Sequence, residues 1–310
     1  MTLREAVSLF LAQQRASTRN SYQPVLYNLL DHIGPARPVQ SVTVTDLILY
    51  MQDVRSRKHR GKPFTPGTIR KYVKTIRTLF NWLVKIGELT DAPSQALKMP
   101  KHHPYVTRDK AIQEHELEAL LDVTRAKPRD YALILFLADT GCRAGGVCGL
   151  TYDDLDLEHR RATVFEKGDK KRTVVFGDAC KDALDRWLYH RRKLSGIYVF
   201  SRTDHAINPN NLGQIVRRNC DLAINQYGYK IRRLGVHCFR HRKGHQLADA
   251  RVAPSIAATA LGHTSIQTTL DHYYPGDWES AEKALRETHM APEAPTPANI
   301  TFLKQTGTED

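Results

Sequence analysis

Residues 65–87, TPGTIRKYVKTIRTLFNWLVKIG, restrict this chain more tightly than any other stretch. Ile69, Tyr72, Val73, Ile76, Leu79, Phe80 and Leu83 recur three and four residues apart, which makes one apolar stripe of a helix. Thr65 then Pro66 supplies a cap followed by a proline in the first turn, and Gly87 stops the run. The opposite face carries Arg70, Lys74 and Arg77. STRNSYQPVLYNLL predicts a second helix, with Ser17 as its cap and Tyr22, Leu26, Leu29 and Leu30 at helical spacing. TVTDLILYMQDV predicts a third, capped by Thr43 or Thr45. Residues 1–98 therefore read as a helical domain.

That domain is also strongly basic. It holds 15 Lys/Arg against 6 Asp/Glu, a net +9 of the chain's +13. A compact cationic surface points to a polyanion, of which nucleic acid is the usual one. A basic helical stripe is commonly a solvated face, but in this context Arg70, Lys74 and Arg77 are candidates for DNA contact. The longest apolar run, YALILFLA at 131–138, is too short to span a bilayer, and the first residues lack a signal-peptide core. Five scattered cysteines suit a reducing compartment, so a cytoplasmic, nucleoid-associated protein without membrane partners is expected.

Residues 99–111 have linker composition, with prolines, basic residues and no periodicity. A second domain is expected at 112–290. QEHELEALLDV opens it as an amphipathic helix. ATVFEKGDKKRTVVFG gives two β-branched runs around a Gly-Asp-Lys turn, a hairpin signal. From Asn210 onward the pattern is helical, GDWESAEKALRET suggests a short amphipathic helix after Pro275, and 291–310 is a proline-rich tail. The fold class is mainly α with a small antiparallel sheet, in two domains.

HCFRHRKGH, residues 237–245, sets three histidines four apart on one helical face. A metal site is disfavoured: the glutamate of a zinc hydrolase's HExxH is absent, no CxxC accompanies it, and Arg240, Arg242 and Lys243 would repel a dication. Phosphate fits better. His237 and Arg240 share a face, and the planar guanidinium offers a fork of donors to two phosphate oxygens. Arg242 and Lys243 would add to the basic surface or touch DNA backbone; His241 and His245 read as packing or supporting residues. Partners for the pair lie elsewhere: Arg143 in DTGCRAGGVCGL, Lys167 in EKGDKKR, and His263, Tyr273 and Tyr274 in ALGHTSIQTTLDHYYP.

With these motifs in this order the chain resembles the tyrosine recombinases, the phage integrases and Xer-type resolvases. The resemblance rests on T-G-x-R, K-G-x-K-x-R, H-x-x-R, L-G-H and a terminal T-T…Y, behind a basic helical domain. It implies that Arg143 and Arg240 hold the scissile phosphate and that a C-terminal tyrosine forms a 3′-phosphotyrosyl link. Lys167 would protonate the leaving oxygen, His237 would handle the nucleophile's proton, and His263 would add a hydrogen bond. No cofactor, metal or nucleotide is called for. The implied partner is double-stranded DNA with specific core sites, bound by a homotetramer on two of them. A type IB topoisomerase-like strand passer and a non-catalytic DNA-binding protein of the same fold are the alternatives. Two departures stand out. Gly146 replaces the usual acidic residue three positions after Arg143. The common tyrosine spacing lands on His272, whereas the longer T-T-x-D-x-Y pattern selects Tyr273, with Tyr274 as the alternative nucleophile.

Overall fold

The computed structural model describes residues 1–59, 61–100, 107–166, 170–194, 196–274 and 282. The chain divides into two compact units, Met1–His103 and Pro104–Asp310. The first contains α1 (Leu3–Ala12), α2 (Ala16–Ile33), α3 (Val44–Ser56), a two-residue hairpin of β1 (Lys58–His59) and β2 (Lys62–Pro63), and α4 (Pro66–Lys85). Thr43, not Thr45, caps α3, in a reciprocal capping box with Asp46. Thr65 caps α4 ahead of Pro66. The expected Ser17 cap is corrected. Only three residues separate α1 from α2, so Arg15 takes the extended position and Ser17 falls within the first turn. The α4 stripe is the floor of the core: Val73, Ile76, Leu79, Phe80 and Leu83 are fully buried against Leu3, Phe10, Leu26 and Leu47.

The second unit is built around α6 (Pro128–Thr140), which is flanked by α5 (Glu114–Thr124) and followed by the short α7 (Ala144–Cys148). Every residue of α6 from Ala132 to Ala138 is buried, which explains why its sequence is apolar all round rather than striped. Strands β3 (Leu155–Asp156), β4 (Arg161–Glu166) and β5 (Lys170–Val175) form an antiparallel sheet in the order β3-β4-β5. Val164 stands opposite Arg172. The rest is helical: α8 (Asp178–Arg191), α9 (Pro209–Asn225), α10 (Val236–Asp249), α11 (Pro254–Leu261) and α12 (Ile266–Tyr273). Helix α6 packs on α5, α8 and α10, and α10 in turn carries α11 and α12. The candidate helix after Pro275, with Trp278, Ala281 and Leu285, and the tail at 291–310 lie outside the described residues, apart from residue 282.

Candidate active site

Two helices of the second unit end on left-handed glycines, Gly141 after α6 (φ +58°) and Gly262 after α11 (φ +66°). Such caps leave the last carbonyls of each helix turned outward at the negative end of its dipole. The arginines that the sequence singles out occupy these carbonyls. Arg240 Nη1 donates to Gly141 O at 3.1 Å and its Nη2 to Leu261 O. Arg143, at the N-cap of α7, donates through Nη1 to Gly262 O at 2.9 Å. The glycine of T-G-x-R thus receives the arginine of H-x-x-R, and the glycine of L-G-H receives the arginine of T-G-x-R. Gly141 admits nothing larger: a Cβ there would stand 2.9 Å from Lys243 Cβ, on a backbone L residues rarely adopt.

Tyr273, the last residue of α12, is 4% exposed and lies in the middle of the histidines. Its hydroxyl is 3.1 Å from His241 Nδ1. Its ring stacks on His263 at 6.3 Å between centroids and meets His245 edge-on at 5.3 Å. The ring rests directly on the backbone of α10, because a Cβ on Gly244 would lie 2.4 Å from Tyr273 Cζ. Gly244→Ala should therefore destabilise the unit by ~1–3 kcal/mol through overpacking, outweighing the ~1 kcal/mol that alanine gains over glycine inside a helix. Urea unfolding measures this, and a neutral or stabilised variant would contradict the packing. Tyr274 is placed elsewhere, its hydroxyl donating to Val252 O at 2.8 Å.

His263 Nδ1 is 2.6 Å from Thr269 Oγ1. Burial, with Arg240, Arg143, His272 and Arg172 nearby, pushes its imidazole down to about 3. Burial and the neighbouring His237, His272, His245 and Lys110 push His241 down to about 4. His237 is also lowered, by burial and then by Arg240 and Arg143. Burial raises Tyr273, opposed by the two arginines. Above pH 7 His241 and His263 are neutral in both states and contribute no pH dependence. As pH falls from 6.5 towards 4 the unfolded chain binds about two more protons than the folded one, and stability drops. The urea midpoint should be lower at pH 5 than at pH 7.5, and His263→Asn should remove part of that difference; a midpoint that holds on acidification refutes the assignment.

Lys167 lies outside the described residues, as do the side chain of Lys170 and the rest of the hairpin turn. Lys171 is on the outer face of β5 with Nζ 5.8 Å from the centre of the Phe165 ring. Arg172, one residue on, faces inward; the motif contained it, but its role was not legible in the sequence. It donates to Ala260 O and lies 3.7 Å through Nη2 from Cys142 Sγ. Three successive carbonyls, Ala260, Leu261 and Gly262, thus each accept from a different arginine. Gly146, at the missing acidic position, sits under β4, where a Cβ would be 3.3 Å from Val164 Cβ and 3.5 Å from Phe165 O. Among the described residues no group of three or more His, Cys, Asp or Glu is placed to hold a metal ion, and no helix is long and apolar enough to cross a membrane.

The outlying basic residues separate. Arg70 and Lys74, with Lys71, Ser21, Tyr22 and Thr75, line an open cavity of about 360 Å³ on the first unit. Arg77 does not join them: it donates to Ser94 O, Gln95 O and Leu97 O and fastens the following turn onto α4. Arg242 is engaged by Glu114 at 2.5 Å. Lys243 is half-buried against Gly141, its ammonium lowered by burial and partly restored by Asp139. Arg77, Arg242 and Lys243 thus each have partners within the protein itself.

Residues 110–278, which include every group of this cluster, match the phage integrase family, and the chain belongs to it. It is 28% identical over 230 residues to the tyrosine recombinase XerC of Corynebacterium efficiens, covering 72% of each chain. With XerC of a Mycobacterium species (strain JLS) it shares 26% over 283 residues, 86% of this chain and 91% of that one. Its fold is similar to that of the Tn1549 transposon integrase in complex with transposon right end DNA (TM-score 0.75, 17% identity, 93% of this chain and 99% of that chain). It is also similar to a lambda integrase dimer bound to a core site (TM-score 0.63, 16% identity, 86% and 96%).

Proposed function

We propose that this chain is a site-specific recombinase that breaks and rejoins duplex DNA through a 3′-phosphotyrosyl link at Tyr273. The observation that carries this is the interlock of Arg143 and Arg240 with the two glycine caps beside a buried tyrosine. Guanidinium groups that donate to carbonyl oxygens can donate equally to the non-bridging oxygens of a phosphodiester, and they stabilise the charge that builds on a pentavalent phosphorus. Tyr273 Oη attacks phosphorus and the bond to the 5′ oxygen breaks. The phenolic proton passes to His237, and Lys167 protonates the departing 5′ oxygen. His263 contributes a further hydrogen bond to the phosphate. A 5′-hydroxyl from the partner strand then reverses the step. The phosphotyrosyl bond retains the energy of the diester, so no nucleotide is consumed, and the cationic side chains supply the charge that a metal would otherwise bring.

The working assembly in this reading is a homotetramer on two core sites in the cytoplasm, with Arg70 and Lys74 of the first unit contacting DNA backbone. Family membership and the DNA-bound relatives support a duplex DNA partner. The test is covalent capture on nicked duplexes recovered by the full chain from a randomised library. A protein–DNA adduct linked through the peptide containing residue 273 is expected. No adduct on any recovered site would favour a DNA-binding protein without catalysis. Relaxation of supercoiled DNA by the monomer without paired sites would favour the topoisomerase alternative.

A further inference from the structure

We propose that His241 is a latch on the nucleophile: it holds the Tyr273 hydroxyl in a slot on α10, so that DNA binding must release the tyrosine before it can reach a phosphate. The inference rests on the recombinase reading, and it adds a residue to which that reading gives no task.

Four observations place the latch. The Tyr273 hydroxyl is bonded to His241 Nδ1 at 3.1 Å, and the residue is only 4% exposed. The slot is shaped for the ring: Gly244 leaves room for it on the α10 backbone, His245 meets it edge-on, and His263 covers one face. His241 lies one helical turn, ~5.4 Å, beyond His237, the histidine expected to handle the nucleophile's proton. Adjacent residues on a helix also point about 100° apart, so His241 and His245 face Tyr273 of α12 while Arg240 points toward Gly141 and Leu261. In this arrangement the nucleophile is beside the phosphate clamp but sealed from an incoming duplex.

The element that carries the tyrosine is suited to release. Helix α12 has eight residues, too few to be stable alone. Its C-terminal end is held by two tyrosine hydroxyls, Tyr273 on His241 and Tyr274 on Val252 O. His241 also has the wrong basicity to activate what it holds. An imidazole pushed down to about 4, by burial and by the surrounding His237, His272, His245 and Lys110, leaves the proton on a phenol that burial has raised. It accepts a hydrogen bond and stores the hydroxyl.

Single-turnover capture with saturating nicked duplex separates this from a structural role. His241→Phe keeps an aromatic ring and removes the acceptor. It should capture DNA about fivefold to tenfold faster than wild type, the rate equivalent of losing one hydrogen bond of ~1 kcal/mol. His241→Asn places an amide oxygen near the position of Nδ1 and should restore the wild-type rate. The ¹³Cζ resonance of Tyr273, assigned by its loss in Tyr273→Phe, should shift in DNA-free His241→Phe and return in His241→Asn. Equal or slower capture by His241→Phe overturns the latch alone, and so does a Tyr273 resonance in the wild-type protein that DNA fails to move. Absence of any adduct from the wild-type chain overturns the recombinase reading and the latch with it.

Discussion

Tyr273→Phe should eliminate covalent capture, by at least ~10⁴-fold as for removal of other enzyme nucleophiles, while DNA affinity stays within about twofold. The substitution is conservative in packing. Phenylalanine retains the ring against Gly244, His245 and His263 and loses only the hydroxyl bonded to His241. The fold should therefore persist, and the loss reports on chemistry. Tyr274 does not take over, because its hydroxyl is spent on Val252 O, whereas that of Tyr273 meets His241. The control is Tyr274→Phe, for which an adduct of wild-type yield is expected. An adduct that survives Tyr273→Phe and disappears in Tyr274→Phe would transfer the nucleophile to Tyr274.

Arg240→Ala should reduce the capture rate by ~10²–10³, the usual effect of deleting one donor to a transition-state oxygen. It should also destabilise the second unit by ~1–3 kcal/mol, because two inward-facing carbonyls lose their donor. At 4% exposure Arg240 has almost no contact with solvent, so water cannot replace it without opening the junction of α6, α10 and α11. Arg240→Lys should fail to rescue either property. An ammonium is a single point of charge, whereas the observed role needs one planar fork reaching Gly141 O and Leu261 O together. Single-turnover rates and urea midpoints measured on both variants decide the matter; a lysine variant within tenfold of wild type would remove the fork from the explanation.

The residues that carry helical periodicity were the most legible. The α4 stripe from Tyr72 to Leu83 is buried as its spacing demands, and Thr65 caps the helix it precedes. The T-G-x-R glycine was recognisable as a turn signal, but no local pattern pairs Gly141 with Arg240 or Gly262 with Arg143, since these contacts join segments 99 and 119 residues apart. Arg77 shows a complementary limit. Its spacing on α4 is that of Arg70 and Lys74, yet the carbonyls of 94–97 return to meet it, and no local pattern encodes that return. Arg172 and His241 were within motifs already in view. Their roles depend on the ends of α11 and α12, which helical spacing alone does not locate. The glycine at 146 reads as a loss in sequence, while its position beneath Val164 shows that close approach of α7 to β4 occupies the space a side chain would need.

In the proposed recombinase the carbonyls of Ala260, Leu261 and Gly262 occupy the donors that the scissile phosphate would need. On that reading the carbonyls are a peptide surrogate of the phosphodiester, and the arrival of the scissile phosphate would be an exchange of ligands. Exchange is selective in a way that simple attraction is not. A backbone phosphate presented in the wrong register gains little by displacing carbonyls that already satisfy the guanidinium groups, whereas one presented in register gains charge, geometry and a nearby nucleophile together. Such a clamp would set a threshold for engagement that a backbone phosphate out of register would not meet.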